Sequence, residues 1–193
     1  MKKLTLAIIA GAMVLMPTMT KAQAFEQGKS QVSLGYGFVN GTQILLSAYD
    51  ENLYTDMENS ALGPIFLKYE FGVSEHVGFG LNVAYANAEI TYKDAFVEGE
   101  QSIKWWGTSF NARVNRHFGS NDKFDPYIGL GMGYKIAKWT FSDDDESEDI
   151  GALIPLGFEG TFGSRYMFTP NIGAFAEVGI AKGIIQFGLN AKF

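Results

Sequence analysis

The chain lacks several features that would point to common protein classes. It contains no cysteine, so disulfide bonds and thiolate chemistry are excluded. After residue 24, no stretch approaches the roughly 18 consecutive apolar residues of a membrane-spanning helix. Positive charge is also scarce: 15 lysines and arginines stand against 21 aspartates and glutamates. The resulting formal net charge of −6 argues against a nucleic-acid partner.

Aromatic residues and glycine are, in contrast, abundant. The 193 residues, which suit a single domain, include 16 Phe, 9 Tyr, 3 Trp and 23 Gly. The mean hydropathy of +0.00 resembles that of a soluble protein. A transmembrane β-barrel has a similar average, because only half of the residues in each strand face lipid. Mean hydropathy therefore leaves both classes open.

The first 24 residues have the pattern of a cleaved signal peptide. Lys2-Lys3 supply the positive start, Leu4–Met16 supply a short apolar core, and Ala22-Gln23-Ala24 forms a small-residue cleavage site. The mature chain is therefore expected to begin at Phe25. Removal of the leader, which contains three lysines and no acidic residue, changes the formal charge from −6 to −9. We expect an exported protein.

The last eight residues show the pattern that organises the rest of the chain. Apolar and polar residues alternate strictly, which places them on opposite faces of a strand. The apolar face comprises Phe187, Leu189, Ala191 and Phe193, and the other face comprises Gln186, Gly188, Asn190 and Lys192. One lipid-facing and one lumen-facing side is the pattern of a transmembrane β-barrel strand.

Seven further segments alternate in a similar way, giving eight strands near the length of about 9–11 residues that a tilted membrane strand needs. The eight segments are Ser30–Phe38, Leu62–Val73, Gly78–Ala86, Trp106–Asn115, Asp125–Ile136, Ile154–Phe162, Ile172–Ile180 and Gln186–Phe193. Longer loops are predicted at Val39–Ala61, Lys93–Ile103 and the acidic Ser142–Ile150. Past Ala86 the apolar residues Ile90 and Tyr92 change parity, which indicates a bulge in the third strand or its extension above the membrane.

These segments predict an all-β fold, an eight-stranded antiparallel up-and-down transmembrane β-barrel over residues 25–193. A soluble sandwich or lipocalin-like barrel would carry many charges on the polar face of most strands. Here that face is mainly Gly, Ala, Ser and Asn, which suits a narrow interior. The even strand count agrees with bacterial barrels. With the N-terminus in the periplasm, most short connections become periplasmic and the longer ones lie at the cell surface.

The signal peptide, the segment Asp125–Tyr134 and the terminal Phe193 together resemble the outer-membrane protein β-barrel family, which includes the OmpA-type transmembrane domain and OmpW-like barrels. Gln186, Gly188 and Phe193 also resemble the C-terminal assembly signal of that class. The resemblance implies insertion into a bacterial outer membrane by the barrel-assembly machinery, with lipid and lipopolysaccharide as neighbours. It does not imply the peptidoglycan binding of OmpA, because it covers the barrel alone.

Several charged residues fall on the predicted inner face. They are Lys68, Glu70, Arg113, Lys135, Glu159 and Glu177. An isolated charge in a low-dielectric interior is very costly, so these side chains should form ion pairs or contact water. We expect a structural polar network in the lumen, and a gated small pore is the alternative.

No catalytic, cofactor or metal site is predicted. The glycines of 129–133 lie within a strand, whereas a dinucleotide loop needs a helix after them. The acidic run 143–149 lacks the glycine and ligand spacing of an EF-hand, which leaves a solvated loop or weak cation bridging to lipopolysaccharide phosphates. His76 and His117, the only histidines, fall in or beside periplasmic turns, and no His-x-Ser sequence occurs. Lipid A-modifying barrels need a surface-side histidine working with serine.

The expected function is therefore non-enzymatic: envelope structure and surface interaction through the extracellular loops, especially Val39–Ala61, with an unidentified surface ligand. The first alternative is a narrow OmpW-like channel for small or apolar solutes. A lipid A-modifying enzyme is the third.

Overall fold

Nine β-strands make up almost all of the backbone that the structure describes. The computed structural model describes residues 23–40, 54–94, 100–119, 121–143, 146–151, 155–181 and 183–193. The strands are β1 (Ser30–Asn40), β2 (Tyr54–Gly72), β3 (Val77–Asp94), β4 (Glu100–His117), β5 (Phe124–Asp143), β6 (Glu146–Gly151), β7 (Leu156–Met167), β8 (Ile172–Ile180) and β9 (Gly183–Lys192). None of the described residues forms a helix of the length and hydropathy needed to cross a membrane.

The sheet closes on itself as an eight-stranded antiparallel barrel. Neighbours in sequence pair from β1 to β5, β5 then pairs with β7, β7 with β8, β8 with β9, and β9 returns to β1. β6 pairs with the end of β5, so β6 and β7 lie along the same neighbour. They form one interrupted strand of the barrel, which confirms the predicted fold.

Side chains alternate between a lipid-facing outer surface and a polar interior. Leu34, Leu130 and Leu189 are 60%, 66% and 62% exposed, whereas Asn82 and Gln186 on inward positions are buried. This arrangement is the reverse of a soluble protein, because the solvent outside the barrel is hydrocarbon. The period of two read from the sequence is therefore confirmed for the lipid-facing part of the described strands.

One wall of the barrel extends well beyond the other. β3 and β5 contain 18 and 20 residues, whereas β8 and β9 contain 9 and 10. The β3–β4 ladder runs without a break from Val77↔Arg116 to Lys93↔Glu100. We call the end of the barrel that carries this wall the extended end, and the opposite end, where β9 finishes, the terminal end.

The predicted loops on this wall are partly wrong. Within Val39–Ala61, β1 continues to Asn40 and β2 begins at Tyr54, and residues 41–53 lie outside the described part of the chain. Most of Lys93–Ile103 is strand as well, with residues 95–99 outside the description. The acidic Ser142–Ile150 is a hairpin in which Asp143 pairs with Glu146, although residues 144 and 145 are not described. Backbone pairing continues there without the polar–apolar alternation that lipid imposes.

The parity change past Ala86 comes from an extension of β3 and not from a bulge in that strand. Ala86, Ala88 and Ile90 stay on the inner face and are buried, so the inner face itself becomes apolar. The irregularity lies on the partner strand, where the β2–β3 register shifts between Leu62 and Ile65. Gly63 has φ +86° there, and a Cβ atom would lie 2.9 Å from the Ile65 nitrogen, so this position requires glycine.

Candidate functional site

Five of the six predicted lumen charges are buried inside the barrel. They are Lys68 and Glu70 on β2, Arg113 on β4, Glu159 on β7 and Glu177 on β8. Each occupies an inward position of its strand, so strands that are distant in sequence bring the charges together across the lumen. They form two groups, each held together by hydrogen bonds and ion pairs.

The first group is centred on Glu177. Its carboxylate accepts hydrogen bonds from Lys68 Nζ at 2.8 Å, from Arg113 Nη2 at 2.9 Å and from Tyr127 Oη at 2.8 Å. Arg113 Nη1 adds a further bond at 3.1 Å, and Lys68 also donates to Gln186 Oε1 at 2.8 Å. These side chains come from β2, β4, β5, β8 and β9, so the group spans the barrel.

Glu159 extends this group toward the extended end. One carboxylate oxygen accepts hydrogen bonds from Asn82 Nδ2 at 2.5 Å and from Asn111 Nδ2 at 3.1 Å. The other oxygen lies 3.6 Å from Arg113 Nη1. Glu159 is therefore held by two amides, and its ion pair with Arg113 is looser than that of Glu177.

The second group lies toward the terminal end and is centred on Glu70. Arg165 donates to Glu70 Oε2, Asn115 Nδ2 donates to Glu70 Oε1 at 2.7 Å, and His117 Nε2 lies 2.8 Å from the same oxygen. The other ring nitrogen of His117 lies 2.7 Å from Asp125 Oδ2. All five side chains are buried.

Sequence reasoning missed three members of the second group: Arg165, Asp125 and His117. Each lies at the terminal end of its strand, on the same parity as the inward residues before or after it. Extending the period of two beyond the last lipid-facing residue would have placed all three in the lumen. His76, in contrast, is exposed in the connection between β2 and β3.

Lys135 does not join the network within the described residues. It lies on β5 beyond Gly133, pairs across the ladder with Ser109, and is only half-buried. This position is nearer the extended end than both ion-pair groups. Inward parity says nothing about height along the barrel axis, so Lys135 lies apart from both ion-pair groups, and its membership of a lumen network stays a prediction.

The N-terminal segment covers the network at the terminal end. The Phe25 ring stacks on the His117 imidazole with a centroid distance of 3.5 Å and an angle of 5° between the planes. Lys192 Nζ forms a 2.7 Å ion pair with Glu26, and the Gly28 amide donates to the Gly72 carbonyl at 2.8 Å. Phe25 is itself buried, so it closes this end with an aromatic ring.

The two groups leave little free space between them. A cavity of about 10 Å³ lies there, with Gln31, Arg113 and Arg165 among its lining residues. This is room for about one water molecule. In the described part of the chain, no group of three or more His, Asp or Glu side chains is arranged to hold a metal ion. The arrangement is suited to filling a lumen, and its buried charges are compensated by partners from across the barrel.

Several solved structures are similar to this chain at low sequence identity. Ail, the attachment invasion locus protein of Yersinia pestis, is 16% identical with a TM-score of 0.48, covering 87% of this chain and 100% of Ail. The N-terminal barrel of Pseudomonas aeruginosa OprF is 16% identical with a TM-score of 0.48, covering 86% and 98%. OprG from the same organism is 13% identical with a TM-score of 0.49, covering 91% and 99%.

No curated protein matches the sequence. The model of the outer membrane protein beta-barrel domain family matches residues 8–193, which is nearly the whole chain. Together with the closed eight-stranded barrel and its apolar outer surface, this match identifies the chain as a member of the outer membrane protein beta-barrel domain family, located in the bacterial outer membrane.

Proposed function

We propose that the protein is a non-conducting, non-enzymatic membrane anchor that carries a surface for interaction at its extended end. The observation that carries this proposal is the ionic network across the lumen. The interior of an eight-stranded barrel is just wide enough for side chains to fill. Glu177 bonds there to residues of three other strands, on opposite sides of the barrel.

The extended wall supports the surface role. β2, β3, β4, β5 and β6 continue past the short β8–β9 connection as paired strands. Orientation with the N-terminus in the periplasm directs this wall out of the cell. A paired sheet loses less conformational entropy on binding than a free loop does, which favours recognition of a partner. The partner at this wall is an unidentified surface ligand.

A narrow channel for apolar solutes is the second candidate, and one observation favours it. The inner face of the wall carries a buried apolar cluster of Ala86, Ala88, Ile90, Ile103, Trp105 and Ala137, with Trp139 packed against it. A solute leaving this cluster toward the periplasm would meet Glu159 and then Glu177. Passage would need those ion pairs to open, so we place the channel second.

Lipid A modification is the third candidate and has the least support. His117 is fully buried at the terminal end between two carboxylates, and His76 lies in a connection at the same end. The outer leaflet is at the other end of the barrel. Neither imidazole is placed to act on a lipid there, which supports a non-enzymatic role.

A shortened hairpin tests the surface role. Residues 90–103 are replaced by Asn-Gly, which joins the paired residues Glu89 and Lys104 by a two-residue turn. We expect the variant to fold with unchanged heat-modifiable migration, while intact cells bearing it lose retention on immobilised host matrix proteins and polysaccharides. Equal retention of parent and variant cells would contradict the proposal. Uptake of small solutes by proteoliposomes containing the parent protein would favour the channel instead.

A further inference from the structure

His117 lies between two carboxylates at the terminal end of the lumen. Its Nδ1 is 2.7 Å from Asp125 Oδ2, and its Nε2 is 2.8 Å from Glu70 Oε1. An ionised carboxylate can only accept hydrogen bonds, so each ring nitrogen has to carry a proton to donate. A neutral imidazole has a single N–H group and would direct a lone pair at the other carboxylate. The geometry therefore fits the doubly protonated, positively charged ring.

The charges around the ring favour the same protonation state. Glu70 and Asp125 bring two negative charges, and Arg165, which donates to Glu70 and whose Nη1 lies 3.8 Å from Asp125 Oδ2, brings one positive charge. All three side chains are buried, as is His117. With a neutral His117, one negative charge of this group would stay uncompensated, which is costly in a buried position. An imidazolium brings the group to neutrality.

Two aromatic rings pack against the imidazole. The Phe25 ring lies parallel to it at a centroid distance of 3.5 Å, and the Tyr127 ring is tilted by 37° at 5.4 Å. The Tyr127 hydroxyl donates to Glu177 and is therefore turned toward the first group. Because the face of an aromatic ring attracts a cation, Phe25 packs more strongly on an imidazolium than on a neutral imidazole.

Phe25 belongs to a short segment, Phe25–Gly28, that we call the strap. Glu26 pairs with Lys192 at 2.7 Å, and the last amide of the strap donates to the Gly72 carbonyl at 2.8 Å. Both contacts hold the strap beside the barrel, and neither involves the Phe25 ring. The ring can therefore leave the imidazole while the rest of the strap stays attached.

We propose that the strap is a pH-sensitive closure of the terminal end, seated while His117 is doubly protonated and released when this ring loses a proton. Protonation supplies the second N–H donor, the compensating charge and the stronger ring stack. The seated strap is therefore favoured at acidic pH and is lost as the pH rises through the titration of the imidazole. Release admits water to the Glu70 group, while the Glu177 group stays across the lumen, so no channel opens.

Other groups of the strap also titrate, and one substitution separates them from the imidazole. Glu26 pairs with Lys192, and Phe25 gains an α-amino group if the leader is removed. A transition caused by either group would persist in His117→Gln, since the glutamine side chain does not titrate. His76→Gln is the matched control, because it makes the same change at the other histidine, which is exposed.

The experiment uses the mature barrel in lipid nanodiscs, with 4-fluorophenylalanine at position 25 and a soluble paramagnetic reagent. Fluorine NMR measures the ratio of released to seated ring. From about pH 5 to about pH 9, we expect this ratio to rise about tenfold for the parent and for His76→Gln, and to stay constant for His117→Gln. A transition that persists in His117→Gln, or a ratio that is constant for the parent, would overturn the proposal.

Nitrogen NMR of the imidazole gives a second measurement that does not depend on the folding of His117→Gln. In the His76→Gln protein, His117 is the only histidine, and its two ring nitrogens should both carry protons at about pH 5. A single N–H group in the folded barrel at this pH would overturn the proposal. Heat-modifiable migration at both pH values shows that the barrel itself stays folded while the strap moves.

Discussion

At the scale of single residues, Glu177 is the centre of the first ion-pair group in the lumen. It is buried and compensates two cations, Lys68 and Arg113, while also accepting from Tyr127. A buried ion pair can be worth little overall, because desolvation offsets most of the attraction. Removing one partner is a different matter, since the remaining charge stays buried without compensation.

Glu177→Gln should therefore lower the free energy of unfolding by about 3–5 kcal/mol, because Lys68 and Arg113 lose their shared carboxylate. Urea unfolding in lipid bilayers, followed by tryptophan fluorescence, measures this difference. Glu89→Gln is the matched control, because Glu89 forms an exposed ion pair with Lys104. The same chemical change there should cost between 0 and about 1 kcal/mol. Equal effects at both positions would contradict the buried network.

The assignment of lipid-facing and lumen-facing residues can be tested on β5. Leu130 is 66% exposed on the outer face of β5, so Leu130→Arg near the bilayer midplane should cost about 2–4 kcal/mol. A variant that refolds into bilayers as stably as the parent would reverse the assigned faces.

The neighbouring Gly131 lies beside a lumen side chain, so its substitution tests the packing of the interior. A Cβ atom at Gly131 would lie 2.6 Å from Glu159 Cγ, so the Glu159 side chain would have to shift. Gly160→Ala is the control, since its nearest neighbour lies 3.6 Å away. We expect Gly131→Ala to cost about 1–3 kcal/mol by overpacking, and Gly160→Ala to cost less, in the same unfolding assay.

At the scale of elements, β9 closes the barrel and ends at Lys192, one residue before the Phe193 that the sequence singles out. The Phe193 amide donates to the Ser30 carbonyl at 3.0 Å, and the Ser30 amide donates to the Phe193 carbonyl at 2.9 Å. The Phe193 ring itself points outward and is 47% exposed. It is therefore accessible at the lipid edge of the last strand, as an assembly signal requires.

Phe193→Asp should sharply reduce insertion into the outer membrane, measured as heat-modifiable protein in outer-membrane fractions. Phe168→Asp is the control, because Phe168 is also exposed at the terminal end but lies between β7 and β8. Equal losses would assign the effect to the aromatic interface in general. Undiminished insertion of Phe193→Asp would remove Phe193 from the signal.

The elements also show how far sequence reasoning reaches. Within the membrane, lipid outside and polar groups inside impose a period of two, so the barrel and inward residues such as Lys68 and Glu177 were predictable. Beyond the membrane that constraint ends, so the sequence did not predict β6, the second strand of the acidic hairpin. Parity gives the face of a side chain but not its height, which is why the sequence grouped Lys135 with charges that lie nearer the terminal end and omitted Arg165.

At the scale of the whole molecule, the barrel has two unlike ends joined by a filled lumen. Phe25 and the Glu70 group close the terminal end, and the Glu177 group crosses the barrel above them. The extended end carries the asymmetric wall. The aromatic ring of Phe25, the two ion-pair groups and the extended wall thus lie at different heights of one small barrel.

Single-channel recording in planar lipid bilayers tests the central claim, that the lumen is closed by paired charges. The parent protein should insert without stable conductance steps. Glu159→Ala, which removes the carboxylate held by Asn82 and Asn111, should either admit water and produce measurable openings or lower the stability of the barrel. Large, stable currents from the parent protein that Glu159→Ala leaves unchanged would contradict the account and establish a channel.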